Sequence, residues 1–299
     1  MEENRVFFII NKYSGTGFQS SIEGRIIDAC AKYKLECTIE YTRHKGHATE
    51  LAKKAVAEGF TRVFAMGGDG TVNEVAQGLV NTSVAMGIIP KGSGNGLARH
   101  LQIPLRTHPA LSLLETGKTI TMDTIRINDK VSVNVSGIGF DAHVAGKFGK
   151  DGKRGLLGYA KLILQEFRRF KEFEVKASLD KAVCVRKSFI IAIANSSQFG
   201  NNARVAPSAS VIDGKMEICF IRKVPLGQAI GFIGKMFTGR IGHSSFVEII
   251  KASRFEAEFS GNLPYHIDGE FHPATDRFTV EVQPSSLNVI VPASIKNKL

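Results

Sequence analysis

The sequence predicts a two-part protein. Residues 1–126 form an α/β domain around a parallel sheet, and residues 127–289 form a mostly antiparallel β-rich domain; about residues 290–299 return to the first. Three observations predict this. Short apolar runs alternate with helical apolar stripes up to about residue 126. After Gly117, strand runs separated by turn residues take over. The run Val63-Phe64-Ala65-Met66 leads straight into Gly67-Gly68-Asp69-Gly70-Thr71-Val72-Asn73-Glu74. Strand, glycine turn and helix start are the arrangement that receives phosphates in α/β proteins.

The elements follow in order. Val6–Ile10 reads as a strand, and Ile22, Ile26, Ile27, Cys30 and Tyr33 mark a helix stripe. Cys37–Thr42 is a strand, and Ala48, Leu51, Ala52, Ala55 and Val56 mark a second helix. Val63–Met66, the helix Val72–Val80, the strand Val84–Ile89 and a helix beginning near Asn95 complete the βαβα series. That order argues for a parallel sheet with ligands at the carboxyl ends of its strands. Thr119–Ile127 and Val131–Val135 are strands joined by the turn Asn128-Asp129-Lys130. Later strands are Glu174–Leu179, Phe189–Ala194, Met216–Ile221, Phe255–Phe259, Phe278–Gln283 and Leu287–Val291, interrupted by helices at Leu156–Phe170 and Leu226–Phe237.

Composition bounds the function. The 299 residues are 43% hydrophobic, with mean hydropathy −0.02, as expected of a soluble, core-forming protein. The start Met1-Glu2-Glu3-Asn4-Arg5 is acidic on balance and its apolar run is too short for a signal peptide, and no stretch approaches a membrane span. Cys30, Cys37, Cys184 and Cys219 are scattered, which points to reduced cysteines and a cytoplasmic protein. A net charge of +11 suits an anionic partner. Nucleic acid is not expected, because there is no RNP-type aromatic motif and no zinc-finger spacing. Much of the excess lies in Lys147, Lys150, Lys153, Arg154, Lys161, Arg168, Arg169 and Lys171, against Asp151, Glu166 and Glu172. This reads either as a solvated face or as a face for an anionic membrane, where the protein would associate peripherally.

In the glycine run, Thr71 or Asp69 could cap the helix, or Asp69 could orient a metal or nucleotide. Other turns follow strands in the same way. Asn11-Lys12-Tyr13-Ser14-Gly15-Thr16-Gly17 follows the first, and Pro90-Lys91-Gly92-Ser93-Gly94-Asn95-Gly96-Leu97-Ala98-Arg99 follows the fourth. Gly137-Ile138-Gly139-Phe140-Asp141-Ala142 satisfies a dinucleotide pattern, but the region beyond it is basic and helical, so that reading is rejected. In His266-Ile267-Asp268-Gly269-Glu270, Asp268 and Glu270 are two apart, so a strand would point both the same way. Near phosphates such a pair holds Mg²⁺ and accepts a proton; a charged hairpin turn is the alternative. Asp213-Gly214 likewise reads as a hairpin turn or as part of a cation site. Leu226–Phe237, apolar with glycines and Met236, reads as a core helix or as the wall of an acyl groove.

The run Gly67–Glu74 resembles the GGDGT-x-NE signature of the diacylglycerol kinase catalytic family, which includes bacterial lipid kinases and sphingosine kinases. Its shorter GGDGT part is shared with NAD kinases. The resemblance implies a phosphofructokinase- or NAD-kinase-like first domain and a β-sandwich second domain. It implies ATP and Mg²⁺ as cofactors, with Asn11, Ser14, Gly15, Thr42, Gly68, Asp69, Gly70, Thr71, Asn73, Glu74, Ser93 and Asn95 at the nucleotide. Asp-Gly-Glu at 268–270 matches a family motif with Glu270 as general base beside Asp268, and this argues against an NAD kinase. Ser210, Asp213 and Lys215 match a structural magnesium segment, and Asp123 matches a metal-organising Asp. Two departures stand out: Lys12 replaces a proline, and Gly96 stands where diacylglycerol kinases usually carry Asp. The implied reaction is transfer of the γ-phosphate of ATP to a lipid hydroxyl at an anionic membrane surface, with diacylglycerol as acceptor. A sphingoid base, an NAD-type reaction and a non-catalytic module remain rivals, and a homodimer stays open.

Overall fold

The computed structural model describes residues 4–15, 21–147, 156–180 and 182–295, and for 156–162 the backbone only. Thr16 and Gly17 of the first turn, and Lys150, Asp151, Lys153 and Arg154 of the basic stretch, lie outside the described residues, as does the side chain of Lys161.

The first part contains β1 (Arg5–Ile10), α1 (Ser21–Lys32), β2 (Glu36–Tyr41), α2 (His47–Ala57), β3 (Arg62–Gly67), α3 (Asp69–Leu79), β4 (Ala85–Pro90), α4 (Gly96–His100), α5 (Thr107–Leu111) and α6 (Leu113–Thr116). There follow β5 (Gly117–Ile127), β6 (Lys130–Ser132), β7 (Val135–Gly139), α7 (Phe140–Lys147), α8 (Leu156–Arg169), β8 (Phe173–Leu179), β9 (Ala182–Ser188), β10 (Ile190–Ala194) and β11 (Met216–Ile221). The last elements are α9 (Leu226–Phe237), β12 (Val247–Ala252), β13 (Arg254–Ile267) and β14 (Glu270–Pro292).

The chain divides into two compact units, one of residues 1–124, 211–214 and 283–299, the other of residues 125–210 and 215–282. The predicted division at 126 and return at about 290 therefore move. The first unit also recruits Val211–Gly214 from the middle of the chain, and its return begins at Gln283.

In the first unit the strands are parallel in the order β2-β1-β3-β4, and the end of β14 joins β4 through Asn288 and Val289. Phe7, Phe8, Phe64, Met66 and Met86 are fully buried between the helical layers, with the rings of Phe8 and Phe64 stacked at 5.4 Å. Near-continuous apolar strands are what a parallel sheet covered on both faces requires. The α1 stripe is narrower than predicted, since Ile22, Ile26 and Cys30 are buried while Ile27 is 52% exposed.

The second unit is antiparallel. Strands β12, β11, β10 and β7 pair in that order, β7 pairs with β13, and β13 pairs with β8 and β14. The core gathers Val175, Ile191, Ile193, Ile218, Phe255 and Phe278 from these strands. The predicted strand Val131–Val135 is split, because the amides of Val133 and Asn134 turn away to bond Asp268. The predicted strands Phe278–Gln283 and Leu287–Val291 fuse into β14. Strand β9 escapes the alternation reading because Val183 and Val185 face solvent at 69% and 54% exposure.

Candidate active site

The first unit gathers its turns at the carboxyl ends of the parallel strands. Lys91 N donates to Gly67 O at 2.7 Å, and a Cβ on Gly92 would stand 2.6 Å from Gly68 Cα, so glycine is required where the two loops cross. Asn11 Nδ2 donates to Thr71 Oγ1 at 3.0 Å, and Asn11 Oδ1 accepts from Tyr13 N at 2.9 Å. Helix α3 starts after Gly68 with no side-chain cap. Neither Thr71 nor Asp69 therefore caps it, and its first-turn amides, which have no intrahelical acceptor, suit an anion.

Two cavities open beside these turns. One of about 400 Å³ is lined by the candidates Asn11, Ser14, Thr42, Gly68, Gly70, Thr71 and Glu74. The other, of about 1030 Å³, is lined by Gly15, Ser93 and Asn95 among others. Both volumes suit a nucleotide-sized ligand. Asp69 and Asn73 line neither cavity. Asp69 Oδ1 accepts from Gly96 N at 2.7 Å and so joins the two glycine turns, and buried Asn73 accepts from Gln77 Nε2 at 2.6 Å along its own helix. Asn95, at φ 51°, closes its own turn through Gly92 N at 2.9 Å and Gly92 O at 2.8 Å. Glu74 accepts from Gly46 N at 2.9 Å and Ala48 N at 3.2 Å, so it also anchors the start of α2.

Lys91, which the sequence offers as a neutraliser of phosphate charge or as a solvated lysine, lines the larger cavity. Sequence reasoning missed the other basic residues here: Arg43, His44 and Lys45 line the smaller cavity, and Arg25, Arg106 and His108 the larger. The signal for the first group was available, since it directly follows the second parallel strand. His44, His47 and Glu50 offer ligand atoms all within 4.8 Å of one another, the one such group of His, Cys, Asp or Glu among the described residues.

In the second unit, Asp268-Gly269 is a two-residue hairpin turn. Ile267 pairs with Glu270, and φ is 48° at Asp268 and 90° at Gly269. Positive φ at both central residues is the type I′ pattern that suits a hairpin twist. The turn replaces the expected strand with two carboxylates on one face. Asp268 is 5% exposed; its Oδ1 accepts from Ser132 Oγ at 2.6 Å and Asn134 N at 3.1 Å, and its Oδ2 from Val133 N at 2.8 Å. These donors hold Asp268 in place at the turn. Glu270, half-buried, opens β14 directly after the turn.

Sequence reasoning also missed the pairing behind that turn. His266 Nε2 lies 3.0 Å from Asp141 Oδ2, and Gly269 N donates to His266 Nδ1 at 3.2 Å. With Nδ1 accepting, Nε2 carries the proton and donates to Asp141. The pair His-x-Asp-Gly-Glu and Gly-x-Gly-Phe-Asp contained it, but nothing in spacing joins residues so far apart.

The predicted metal residues are placed differently. Asp123, 2% exposed, accepts from Gly214 N at 2.7 Å and Ser285 N at 2.8 Å, which occupies its oxygens with backbone amides. Asp213 is exposed, and Lys215 Nζ lies 3.5 Å from Asp180. With Ser210 supplying a hydroxyl, one carboxylate makes a weak site for a hard cation.

Two family domains match the chain in succession. Residues 5–127 match the diacylglycerol kinase catalytic domain, and residues 131–291 match the YegS C-terminal NAD kinase beta sandwich-like domain. A probable lipid kinase YegS-like from Pseudomonas aeruginosa (strain UCBPP-PA14) is 30% identical, covering 86% of this chain and 85% of the relative. Another so named, from Pectobacterium atrosepticum, is 27% identical over 98% of each chain. A solved structure from Bacillus anthracis strain Sterne superposes with a TM-score of 0.83 at 22% identity, covering 99% of this chain and 98% of that one. A second, described as a diacylglycerol kinase from the same organism, gives 0.76 at 19% identity over 98% of each. These structures share the fold. No helix among the described residues is long and apolar enough to cross a membrane. The paired catalytic and sandwich domains, together with the Pseudomonas relative, establish that the chain belongs to the YegS-like lipid kinase family built on the diacylglycerol kinase catalytic domain.

Proposed function

We propose that this enzyme transfers the γ-phosphate of ATP to a primary hydroxyl of a membrane lipid, with diacylglycerol as acceptor and phosphatidic acid as product. The observation that carries this reading is the crossing of two glycine turns, at Gly67–Gly70 and Lys91–Asn95, beside a cavity lined by hydroxyls, amides and cations. Backbone amides at a helix start favour phosphate, and Arg43 and Lys45 add positive charge.

Among the described residues Glu74 is the one carboxylate at the smaller cavity, and both its oxygens already accept from backbone amides. Glu74 with the Thr71 hydroxyl would therefore offer a hard divalent cation only a weak hold, and the cation would depend on the nucleotide's own phosphates. When bound, Mg²⁺ supplies neutralisation of the phosphate charge. The chain's own contribution is positioning and a proton acceptor. The lipid oxygen forms a bond to the γ-phosphorus, the bond from that phosphorus to the β–γ bridging oxygen breaks, ADP leaves, and the hydroxyl proton passes to the Glu270 carboxylate.

The test is radiolabelled ATP with Mg²⁺ and a panel of mixed-micelle acceptors: diacylglycerol, sphingosine, and NAD as the soluble control. Label in phosphatidic acid is expected. Label in phosphorylated NAD alone, or ATP binding with no transfer to any acceptor, would overturn the proposal.

A further inference from the structure

No residue of α9 is buried, although it is strongly apolar. Phe232 and Met236 rest on the cluster that contains Cys219, Ile221 and Ile241. On another side, Leu226, Ile230, Ile233 and Phe237 fall at i, i+4, i+7 and i+11, which is one continuous helical stripe. They are 50%, 85%, 49% and 51% exposed. A Cβ built on Gly227, Gly231 or Gly234 meets nothing within 4 Å among the described residues, so none of those residues covers the helix there. Single exposed apolar residues are ordinary, but a contiguous stripe marks a surface that something covers.

Charge decides what covers it. Between Glu217 and Glu248 there is no acidic residue, while Arg222, Lys223, Lys235 and Arg240 are basic. Arg222, Lys235 and Arg240 are exposed. The basic end of α8 is fastened to the approach to α9, because Lys223 Nζ donates to Phe170 O at 2.6 Å and Lys223 N to Glu172 Oε1 at 2.7 Å. This brings exposed Arg168, Arg169 and Lys171 to the same neighbourhood. Glu172, the one carboxylate among these cations, is taken up by Lys223 N at 2.7 Å and by Arg222 at 3.7 Å. Bulky apolar side chains on one stripe with an excess of cations around them are the composition of a helix lying in a bilayer interface.

We propose that α9 docks the enzyme on an anionic bilayer, with Leu226, Ile230, Ile233 and Phe237 entering the headgroup–acyl boundary and the basic residues meeting lipid phosphates. The inference rests on the lipid-kinase reading for its purpose, but not for its measurement.

The experiment uses the full chain, sedimented with phosphatidylcholine vesicles containing increasing phosphatidylglycerol. Binding should rise with phosphatidylglycerol and fall with salt. Ile230→Gln with Phe237→Gln should weaken it by about tenfold or more, the scale set by removing two apolar anchors. Thermal unfolding of the variant should match the parent, since both side chains are exposed. Turnover on vesicle-borne diacylglycerol should fall with binding, whereas turnover on detergent-dispersed diacylglycerol should hold. If the parent turns over neither form yet binds as described, the kinase reading fails and the docking surface stands. Unchanged vesicle binding by the variant overturns the docking surface. So does a dimer of the parent, seen by sedimentation velocity, that the variant abolishes without affecting vesicles, for then a second copy covers α9.

Discussion

The imidazole of His266 donates from Nε2 to Oδ2 of Asp141 across 3.0 Å, in space left by the missing side chain of Gly137. A Cβ on Gly137 would stand 1.9 Å from that oxygen and 2.6 Å from His266 Nε2. His266 in turn accepts from Gly269, so the pair steadies the turn that delivers Glu270. Gly137→Ala should therefore separate the pair, lower turnover by about tenfold or more, and destabilise by about 1–3 kcal/mol, as overpacking does. Steady-state kinetics and urea unfolding check it; full activity with parental stability would show that the pair is dispensable.

Glu270 is the proposed proton acceptor. Glu270→Gln keeps the shape and removes the basicity, so kcat should fall by about 10²–10⁴, the usual contribution of a general base. ATP affinity by equilibrium dialysis should stay near the parental value. A variant with ordinary turnover on diacylglycerol would move the base elsewhere.

Asp268 predicts a different pattern. Asp268→Asn replaces an acceptor for Ser132, Val133 and Asn134 with an amide that has donors of its own. Stability should drop by about 1–3 kcal/mol, the cost of leaving buried donors unmatched. Turnover should fall with it, and added Mg²⁺ should not restore it. Rescue by Mg²⁺ without a change in stability would return Asp268 to the metal.

Asp69 links the two glycine turns through Gly96 N, so removing its carboxylate loosens both. Asp69→Ala should cut turnover by about a hundredfold or more, as misplacement of positioned groups does. Its melting temperature should fall by about 2 °C, on the scale of about 1 kcal/mol for one lost hydrogen bond in a chain of this size. Differential scanning calorimetry beside the lipid assay separates the effects; stability loss with unchanged turnover in the folded fraction would contradict it.

His100 gives a pH signature. Burial lowers its pKa from 6.5 to about 4. Between those values the unfolded chain binds the proton and the folded chain does not, so stability falls on acidification from about pH 6.5 toward 4, by up to about 1.4 kcal/mol per unit. Urea midpoints at pH 7 and pH 5 should differ less in His100→Gln than in the parent. An equal difference in both would assign the acid sensitivity to other groups.

The first unit was largely legible because parallel strands are buried on both faces and their helices carry one-sided stripes. Val63–Met66 followed by Gly67–Glu74 therefore gave both the strand and the turn. The second unit was less so. Val183 and Val185 reverse the usual inside–outside pattern, and Val133 and Asn134 leave the strand for Asp268, a residue far along the chain. Several candidates turn out to be bonded to backbone groups or side chains of the protein itself. Asp123, Asp268, Asn73 and Asn95 are polar residues in glycine-rich or strand-end contexts, where a carboxylate or amide that holds backbone looks the same in sequence as one that holds a ligand. Asp141 and His266 were hidden for the opposite reason: their meeting depends on β7 pairing with β13.

Asp123 binds the amides of Gly214 and Ser285, and its own amide donates to Val211 O at 2.6 Å. Strand β4 gains its outer neighbour from Asn288 and Val289. A nascent chain that has just cleared the ribosome with its first 124 residues thus carries four parallel strands, an unpartnered β4 edge and a buried carboxylate lacking its donors. Such an edge invites pairing with other chains. The first unit cannot complete its sheet before Asn288 and Val289 are made, unlike domains that fold in the order they emerge. Expressed alone, residues 1–124 should aggregate, because the strand that covers β4 is supplied only by Asn288 and Val289.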